Sequence, residues 1–265
     1  KLTHLTLNSN QISVIEQGSL NNLTFLETLK MNKNKLTEMP QLVFSQLKNL
    51  KTLDLMRNKI RNIKGLTFQG LNKLQVLKLQ RNNIAILKDG AFWGLPSLTN
   101  LLMDHNKIVN ITQAWLFGLK MLKTLSLSYN KISRVEQGAW EPCKHLAKLN
   151  LTHNKLTAIT EITLAQLTTL DTLLLDHNQI SRVDEGAFRD QEDLNILELN
   201  SNQISWTMED VSGAFRGLTG LTKLSLKNNA VRSIAVHAFA GLPHLRQLHL
   251  EDNDITLIQE NAFET

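Results

Sequence analysis

Residues 2–10 read LTHLTLNSN and residues 26–34 read LETLKMNKN. Both stretches fit the template L-x-x-L-x-L-x-x-N, with Met31 in place of one leucine in the second stretch. The asparagine of this template recurs eleven times, every 24 residues except for one step of 27 residues between Asn202 and Asn229. The eleven positions are Asn10, Asn34, Asn58, Asn82, Asn106, Asn130, Asn154, Asn178, Asn202, Asn229 and Asn253. Self-similarity of this length at a fixed period indicates a repeat architecture.

The second half of each repeat is also periodic. After each asparagine comes an aliphatic pair such as Ile84 and Leu87, then an aromatic residue or leucine, and often Gly-Leu. One repeat therefore reads as a short strand, a turn at the asparagine and an irregular return segment. The aromatic slot is held by Phe68, Phe92, Trp140, Phe188, Phe215, Phe239 and Phe263.

The fold follows from burial. Side chains alternate along a strand, so the two leucines of L-x-L point to one face and the intervening residues to the other. One repeat cannot bury its leucines, whereas stacked repeats bury them in a continuous core. The asparagine side chain is expected to pair backbone groups of the bend. We predict an α/β repeat protein, a leucine-rich-repeat solenoid (horseshoe) with a parallel concave β-sheet of about eleven short strands and irregular convex segments.

The chain is predicted to form a single domain over residues 1–265, with about eleven 24-residue repeats and without capping units at either end. Solenoid ends normally need such caps, so we expect a fragment. Cys143 is the only cysteine, which alone would favour a reducing compartment. The usual disulfides of such solenoids would lie in the missing caps. The lack of a second cysteine therefore does not indicate a reducing compartment.

Three departures from the pattern carry their own expectations. Cys143 and Gln191 stand where most repeats have the leucine of Gly-Leu. Cys143 is expected to be a small buried apolar residue. Gln191 needs a hydrogen-bond partner or a solvent-facing loop. The three extra residues fall in residues 205–212 and are expected to bulge on the return side.

Composition and motifs exclude several classes of function. The net charge of +5 is mild, and the charges alternate in sign, so no nucleic-acid partner is expected. No run of 18 apolar residues occurs, so membrane attachment is expected only through segments outside this chain. The motifs G-x-S-x-G and H-E-x-x-H and a phosphate-binding loop are all missing. We expect a protein that is not an enzyme and needs no cofactor.

The strand residues between the leucines form the predicted concave face, which divides into three zones. The early repeats are basic, the middle repeats carry histidines, a tyrosine and exposed aliphatic residues, and the last repeat is acidic with Glu251 and Asp252. Exposed aliphatic side chains beside tyrosine and histidine are typical of binding hot spots. The predicted protein-binding residues are Lys30, Lys33, Arg57, Lys78, Arg81, Leu102, His105, Tyr129, His153, Leu174, His177 and Ile196. Binding through the convex side or an edge, dimerisation, and a merely solvated face are the alternatives.

The sequence does not predict a metal site. His153 and His177 are expected to be neighbours on adjacent strands, and with Asp176 they offer three ligands of the kind that bind Zn²⁺. However, they lie near the turn, where solvated histidines are common. A pH-sensitive contact is an equally weak alternative.

Three N-x-[ST] sequons occur, at Asn22, Asn110 and Asn150. In a secreted protein these are acceptors for N-linked glycans. Asn22 and Asn110 are predicted on return segments. Asn150 is predicted on a concave strand, where a glycan would block part of the binding face.

The chain resembles one family of extracellular repeat proteins over nearly its whole length. The stretches GLTFQGL at residues 65–71, DGAFWGL at residues 89–95, WEPC at residues 140–143 and ISWTMED at residues 204–210 are similar to the "leucine-rich repeats and immunoglobulin-like domains" (LRIG) family. LQRN at residues 79–82, GAF at residues 213–215 and IQENAF at residues 258–263 add to the resemblance.

The resemblance implies the extracellular part of a single-pass plasma-membrane glycoprotein with immunoglobulin domains after the repeats. It implies regulation of growth-factor receptors, including receptor tyrosine kinases, and of bone-morphogenetic-protein signalling. The expected partners are membrane receptor ectodomains or secreted ligands, with a homodimer as a further possibility. Two other functions stay open: a matrix-type adhesion scaffold that binds polyanions through the basic early repeats, and an immune-type recognition module.

Overall fold

The structure is a computed structural model that describes residues 1–205 and 213–264. The chain divides into two compact units. The first comprises residues 1–131 and 139–146, and the second comprises residues 132–138 and 147–265. The single domain over residues 1–265 stays a prediction.

The first unit consists of short strands joined by turns, with one short helix. Its elements are β1 (His4–Thr6), β2 (Thr28–Lys30), β3 (Thr52–Asp54), β4 (Asn62–Ile63), β5 (Val76–Lys78), β6 (Ile86–Leu87), β7 (Asn100–Leu102), β8 (Asn110–Ile111), α1 (Gln113–Leu116) and β9 (Thr124–Ser126).

The described residues of the second unit form short strands joined by turns in the same way. Its described elements are β10 (Arg134–Val135), β11 (Lys148–Asn150), β12 (Ala158–Ile159), β13 (Thr172–Leu174), β14 (Arg182–Val183), β15 (Ile196–Glu198), β16 (Lys223–Ser225), β17 (Ser233–Ile234), β18 (Gln247–His249) and β19 (Leu257–Ile258).

The three-residue strands pair in parallel, one from each coil. In the first unit the order is β1-β2-β3-β5-β7-β9, and in the second it is β11-β13-β15-β16-β18. The register places each strand residue opposite its equivalent in the next repeat: Leu53 lies opposite Leu77, 24 residues later, and across the longer repeat Leu197 lies opposite Leu224, 27 residues later. The predicted solenoid with a parallel sheet of eleven short strands is therefore confirmed, with six strands in the first unit and five in the second.

Return segments contribute small sheets of two-residue strands, in which β4 pairs with β6, β12 with β14 and β17 with β19. The rest of each coil is turn or irregular structure, as predicted. No helix in the described residues is long and apolar enough to cross a membrane.

The core of each unit is a column of leucines beside a column of aromatic rings. Leu29, Leu53 and Leu77, at the centres of their strands, are completely buried. In the first unit, the aromatic slot continues from coil to coil with ring centroids 5.8–6.1 Å apart: Phe44–Phe68, Phe68–Phe92 and Phe92–Trp115. In the second unit, Phe188 stacks with Phe215. The predicted inward leucines and aromatic slot are confirmed, except that Phe263, which was assigned to the slot, is 52% exposed.

The repeated asparagine ties each coil to the one before it. The side-chain oxygen of Asn82 accepts a hydrogen bond of 3.1 Å from the backbone N–H of Ile60. Its Nδ2 donates to the carbonyls of Leu55 and Leu79, both at 3.0 Å. Buried backbone groups that have no partner are costly, so this side chain stabilises the bend. The predicted capping role of the asparagine is confirmed.

The two departures that the structure describes are buried. Cys143 is completely buried, as predicted, and burial raises the pKa of its thiol to about 12. Gln191 is 1% exposed, and its Nε2 donates a 3.0 Å hydrogen bond to the carbonyl of Leu164. Apart from Ser205, the predicted bulge at residues 205–212 lies outside the described residues.

Candidate functional site

One residue in each coil, directly before the asparagine, has a left-handed backbone. In the first unit these residues include Lys33, Arg57, Arg81, His105 and Tyr129, with φ between 53° and 56°. This conformation is unfavourable for residues with a Cβ, so the surrounding hydrogen bonds must hold it. The N–H of Arg57, for example, donates to the carbonyl of Gln80 in the next coil at 2.9 Å. The turn thus repeats with the spacing of the strands, about 4.8 Å. We call these five side chains the turn row.

The basic end of the turn row continues onto the strands. Lys30 lies in β2 and Lys78 in β5, and together with Lys33, Arg57 and Arg81 they form the basic cluster. Four of the five side chains are exposed, and Lys78 is half-buried. Within the described part of the chain, none of the five is in an ion pair.

One carboxylate lies among these cations. Asp54 is opposite Lys30 in β2 and opposite Lys78 in β5. It is 7% exposed and accepts hydrogen bonds from Asn32 Nδ2 at 2.9 Å and from the N–H of Met56 at 3.0 Å. Because Asp54 is held from within the sheet, the exposed groups of the cluster are the cations.

Two rings follow the cations in the turn row. His105 and Tyr129 stack with centroids 4.2 Å apart and planes 9° from parallel, and Tyr129 is 46% exposed. Partial burial, with the nearby positive charge of Arg81, holds the pKa of His105 below its usual range. The imidazole is therefore mostly neutral near pH 7, and the pair presents an aromatic surface beside the cations.

The second unit carries a similar pair. His153 and His177 stack with centroids 4.1 Å apart, so the prediction that they are neighbours is confirmed. Burial, together with the neighbouring Glu198, raises the pKa of Asp176 to about 6, although its Oδ1 accepts a 2.7 Å hydrogen bond from the N–H of Asn200. In the described residues, no group of three or more His, Cys, Asp or Glu side chains is placed to hold a metal ion.

The three predicted exposed aliphatic residues differ from expectation. Leu102, Leu174 and Ile196 lie on the outward sheet face, but each is half-buried rather than exposed. The reason is lateral packing: Leu102, for instance, is in register between Lys78 and Ser126 on the neighbouring strands. They contribute less apolar surface to a partner than the sequence suggested.

The acidic end of the chain is internally paired. Glu251 lies 3.2 Å from Lys227 Nζ and 3.2 Å from His249 Nδ1. A hydrogen bond from its own backbone, together with His249 and Lys227, lowers the pKa of Glu251 to about 2. The carboxylate thus remains charged, and its neighbours compensate part of that charge.

The three sequons differ in accessibility. Asn22 and Asn110 are exposed on return segments, as predicted. Asn150 is half-buried in β11, on the sheet face as predicted, and its Oδ1 accepts a 3.0 Å hydrogen bond from the N–H of Thr152.

The sequence interpretation missed one surface of the first unit. Trp93 and Phe117 are exposed and stack with centroids 5.0 Å apart. They follow Phe92 and Leu116, which are buried, so a second large ring in each coil has no place in the core. The sequence does contain a signal for this surface: two aromatic residues lie one repeat (24 residues) apart, each directly after a core position.

The stacked coils, each with one strand of a parallel sheet and one asparagine at its turn, define a solenoid repeat protein with an open sheet face. The sequence profile described as "Leucine rich repeat" matches residues 1–60, 48–108, 97–156 and 211–255, which together exceed half of the chain. The chain belongs to the leucine-rich-repeat family. Nothing in the comparisons points specifically to LRIG proteins. No curated protein is similar enough to count as a relative.

Solved structures of similar fold include receptors and their complexes. A chain of the octameric complex of Latrophilin 3, Unc5D and FLRT2, in which FLRT2 carries the leucine-rich repeats, is 26% identical with a TM-score of 0.78, over 95% of this chain and 76% of that one. The TLR13–ssRNA13 complex is 26% identical with a TM-score of 0.74, over 95% of this chain and 33% of that one.

The Drosophila Toll–Spatzle complex is 22% identical with a TM-score of 0.83, over 96% of this chain and 38% of that one, and shows the fold alone. The chain thus spans between a third and two fifths of the TLR13 and Toll chains.

Proposed function

We propose that this chain is the protein-binding part of the extracellular region of a cell-surface regulator of growth-factor receptors. The turn row and basic cluster of the first unit form its binding surface, and acidic receptor ectodomains or secreted ligands are its partners. The observation that carries the proposal is that five cations, none of them in an ion pair with any residue that the structure describes, adjoin a stacked His105–Tyr129 pair on one open sheet face.

The arrangement suits protein recognition. Clustered cations accelerate encounter with an acidic surface and select against basic ones. The adjoining rings supply rigid apolar contact area, which is where binding energy concentrates. The half-buried Leu102 extends this area in the same unit. The sheet face is open and no catalytic motif is present, which favours binding without catalysis.

One comparison supports the proposal at a coarser level, and the sequence resemblance adds the finer expectation. The FLRT2 repeats occur in a complex with Latrophilin 3 and Unc5D. The resemblance to the LRIG family extends this to growth-factor and bone-morphogenetic-protein receptors at the plasma membrane. His153, Leu174, His177 and Ile196, in the second unit, are proposed to contribute a second contact area.

The test is a panel of purified receptor ectodomains passed over the immobilised chain, with surface plasmon resonance as the readout. We expect at least one ectodomain to bind, and Arg57→Glu with Arg81→Glu to weaken that binding about tenfold or more. The matched control is Lys59→Glu with Lys107→Glu, which makes the same charge change at exposed lysines outside the turn row. Binding by no ectodomain, or equal loss in both double variants, would contradict the proposal.

The basic cluster also favours a second candidate function, adhesion to extracellular polyanions. Binding to a sulfated polysaccharide through exposed cations must weaken steeply as salt rises. A heparin column distinguishes the two functions. If the column retains the wild-type chain but not the variant with Arg57→Glu and Arg81→Glu, the adhesion scaffold is favoured. If the column does not retain the wild-type chain, the adhesion scaffold is rejected. Single-stranded RNA is a second polyanion to test for binding, because the TLR13 structure contains such a ligand.

A further inference from the structure

One flank of the first unit, away from the turn row, carries two adjoining hollows. The larger, about 660 Å³, is lined by residues that include Trp93, Pro96 and Met121. The smaller, about 440 Å³, is lined by residues that include Phe117 and Pro142. Both volumes fall in the range of about 300–1,000 Å³ that is typical of ligand sites. Gly118 and Lys120 line both hollows, so the two form one continuous groove, which we call the flank groove.

The groove is organised by the Trp93–Phe117 pair, whose rings are 5° from parallel. Gly118 has a φ of +97°, and a Cβ at this position would lie 3.4 Å from Cε3 of Trp93. Glycine is favoured here by its left-handed backbone, and residue 118 lies in contact distance of the indole. Trp93 is 42% exposed, Phe117 52% and Met121 45%. Adjacent exposed apolar side chains of this size commonly mark an interaction site.

These rings are not needed for the core of the unit. Phe92 and Trp115 fill the aromatic slot of the same two coils and are fully or almost fully buried. Exposed aromatic rings cost solubility and gain little stability from a neighbour that is itself exposed. Two exposed rings on successive coils therefore form an apolar patch of the kind that marks an interaction site.

Charge indicates what kind of partner would cover these rings. Lys120 lies where the two hollows meet, and Lys144 and His145 line the smaller one. Among the described residues that line the groove, the only acid is Glu141, whose Oε2 accepts a short 2.5 Å hydrogen bond from Gln113 Nε2. The groove is therefore apolar in its walls and positive at its rim, which complements acidic groups next to apolar ones.

We propose that the flank groove binds an extended peptide segment of a partner protein, with two apolar side chains on either side of the Trp93–Phe117 pair and an adjacent acidic residue at Lys120. Two hollows separated by one aromatic pair fit alternate side chains of an extended chain. The flank groove does not include any residue of the turn row. Peptide binding in the groove can therefore be tested independently of the function proposed above.

The experiment selects ligands without assuming their sequence. Phage-displayed short random peptides are panned on the wild-type chain after depletion on a variant with Trp93→Ala and Phe117→Ala. We expect the enriched peptides to carry Asp or Glu beside two apolar residues. Enrichment of basic peptides, or no enrichment over the depleted pool, overturns the proposal.

A synthetic copy of the enriched peptide then tests the geometry by fluorescence anisotropy. Lys120→Glu should weaken binding about tenfold, whereas Lys48→Glu, at the equivalent position of an earlier coil, should not. Phe25→Ala is the control for the aromatic variants, since Phe25 is also an exposed ring of the first unit. Lys120 is exposed and outside the core, so its substitution separates lost binding from lost folding. Equal weakening by both lysine variants rejects the site.

A second copy of the chain is the competing occupant. Sedimentation of the wild-type chain over a range of concentrations is expected to show no association that depends on the groove. A dimer that Trp93→Ala with Phe117→Ala abolishes would overturn the peptide proposal in favour of self-association.

Discussion

The side-chain oxygen of Asn106 accepts a 2.9 Å hydrogen bond from the backbone N–H of Ile84, in the preceding coil. Nδ2 of the same side chain donates to the carbonyls of Leu79 at 3.0 Å and Met103 at 2.9 Å. Asn106 is only 7% exposed, so Asn106→Ala leaves these backbone groups without a partner and largely out of reach of water. We expect the free energy of unfolding, measured with urea, to fall by about 1–3 kcal/mol.

The first coil provides the control. Asn10 occupies the same repeat position, is exposed, and donates to the carbonyls of Leu7 and Asn8. Because water can replace Asn10 at those carbonyls, Asn10→Ala should cost much less than Asn106→Ala. Equal losses would mean that the asparagine acts through its local turn alone and not by joining coils.

Asp176 gives the second unit a pH-dependent stability. Burial first, and then the neighbouring Glu198, raise the pKa of Asp176 from an ordinary 3.8 to about 6 in the folded chain. A raised pKa in the folded state stabilises the fold below the ordinary value, and this contribution is lost as the pH rises through about 6. Asp176→Asn imitates the protonated acid at every pH. It should raise stability by about 1–2 kcal/mol near pH 7.5 and change little near pH 4.

Asparagine fits this position because Asn200 already occupies it in the next coil. The Oδ1 of Asn200 accepts a 3.0 Å hydrogen bond from the N–H of Lys227, just as Asp176 accepts one from Asn200. Thermal unfolding across this pH range measures the effect, and Asp193→Asn, at an exposed acid of the same unit, is the control. A Tm gain for Asp176→Asn that is the same at both ends of the range would rule out titration as its cause.

Periodicity explains why so much of the fold was predictable. The spacing of 24 residues sets which side chains of each coil are buried, so the leucines, the asparagine and the aromatic slot all followed from the repeat. The neighbour of each strand residue also followed, as the stacked His153 and His177 illustrate.

Properties that depend on lateral packing were less predictable. The strand pattern assigned Leu102 to the outward face, but its actual exposure depends on the side chains of Lys78 and Ser126 beside it. The pKa of Asp176 likewise depends on burial and on Glu198 in the next coil. The flank groove depends on how the return segments of successive coils are placed, because Trp93 of one coil stacks on Phe117 of the next. A template that marks only core positions carries none of this information.

Glycosylation tests the accessibility of the sheet face. Asn22 and Asn110 are exposed, whereas Asn150 is half-buried in β11, opposite Leu174, and its side-chain oxygen is held by the N–H of Thr152. When the chain is secreted from mammalian cells behind an added signal peptide, we expect glycans at Asn22 and Asn110 and little or none at Asn150. Glycopeptide mass spectrometry before and after peptide N-glycosidase gives the occupancy of each site.

Threonine substitutions show which sequons carry glycans even where mass spectrometry does not detect the glycopeptide. Thr24→Ala and Thr112→Ala should each remove the mass of one glycan, because each destroys a sequon without changing its asparagine. Thr152→Ala should leave the mass of the glycosylated chain essentially unchanged. Full occupancy at Asn150 would contradict this prediction and would cover the sheet face around β11. The second contact area proposed at His153 and Leu174 would then be inaccessible, and binding would have to depend on the turn row of the first unit alone.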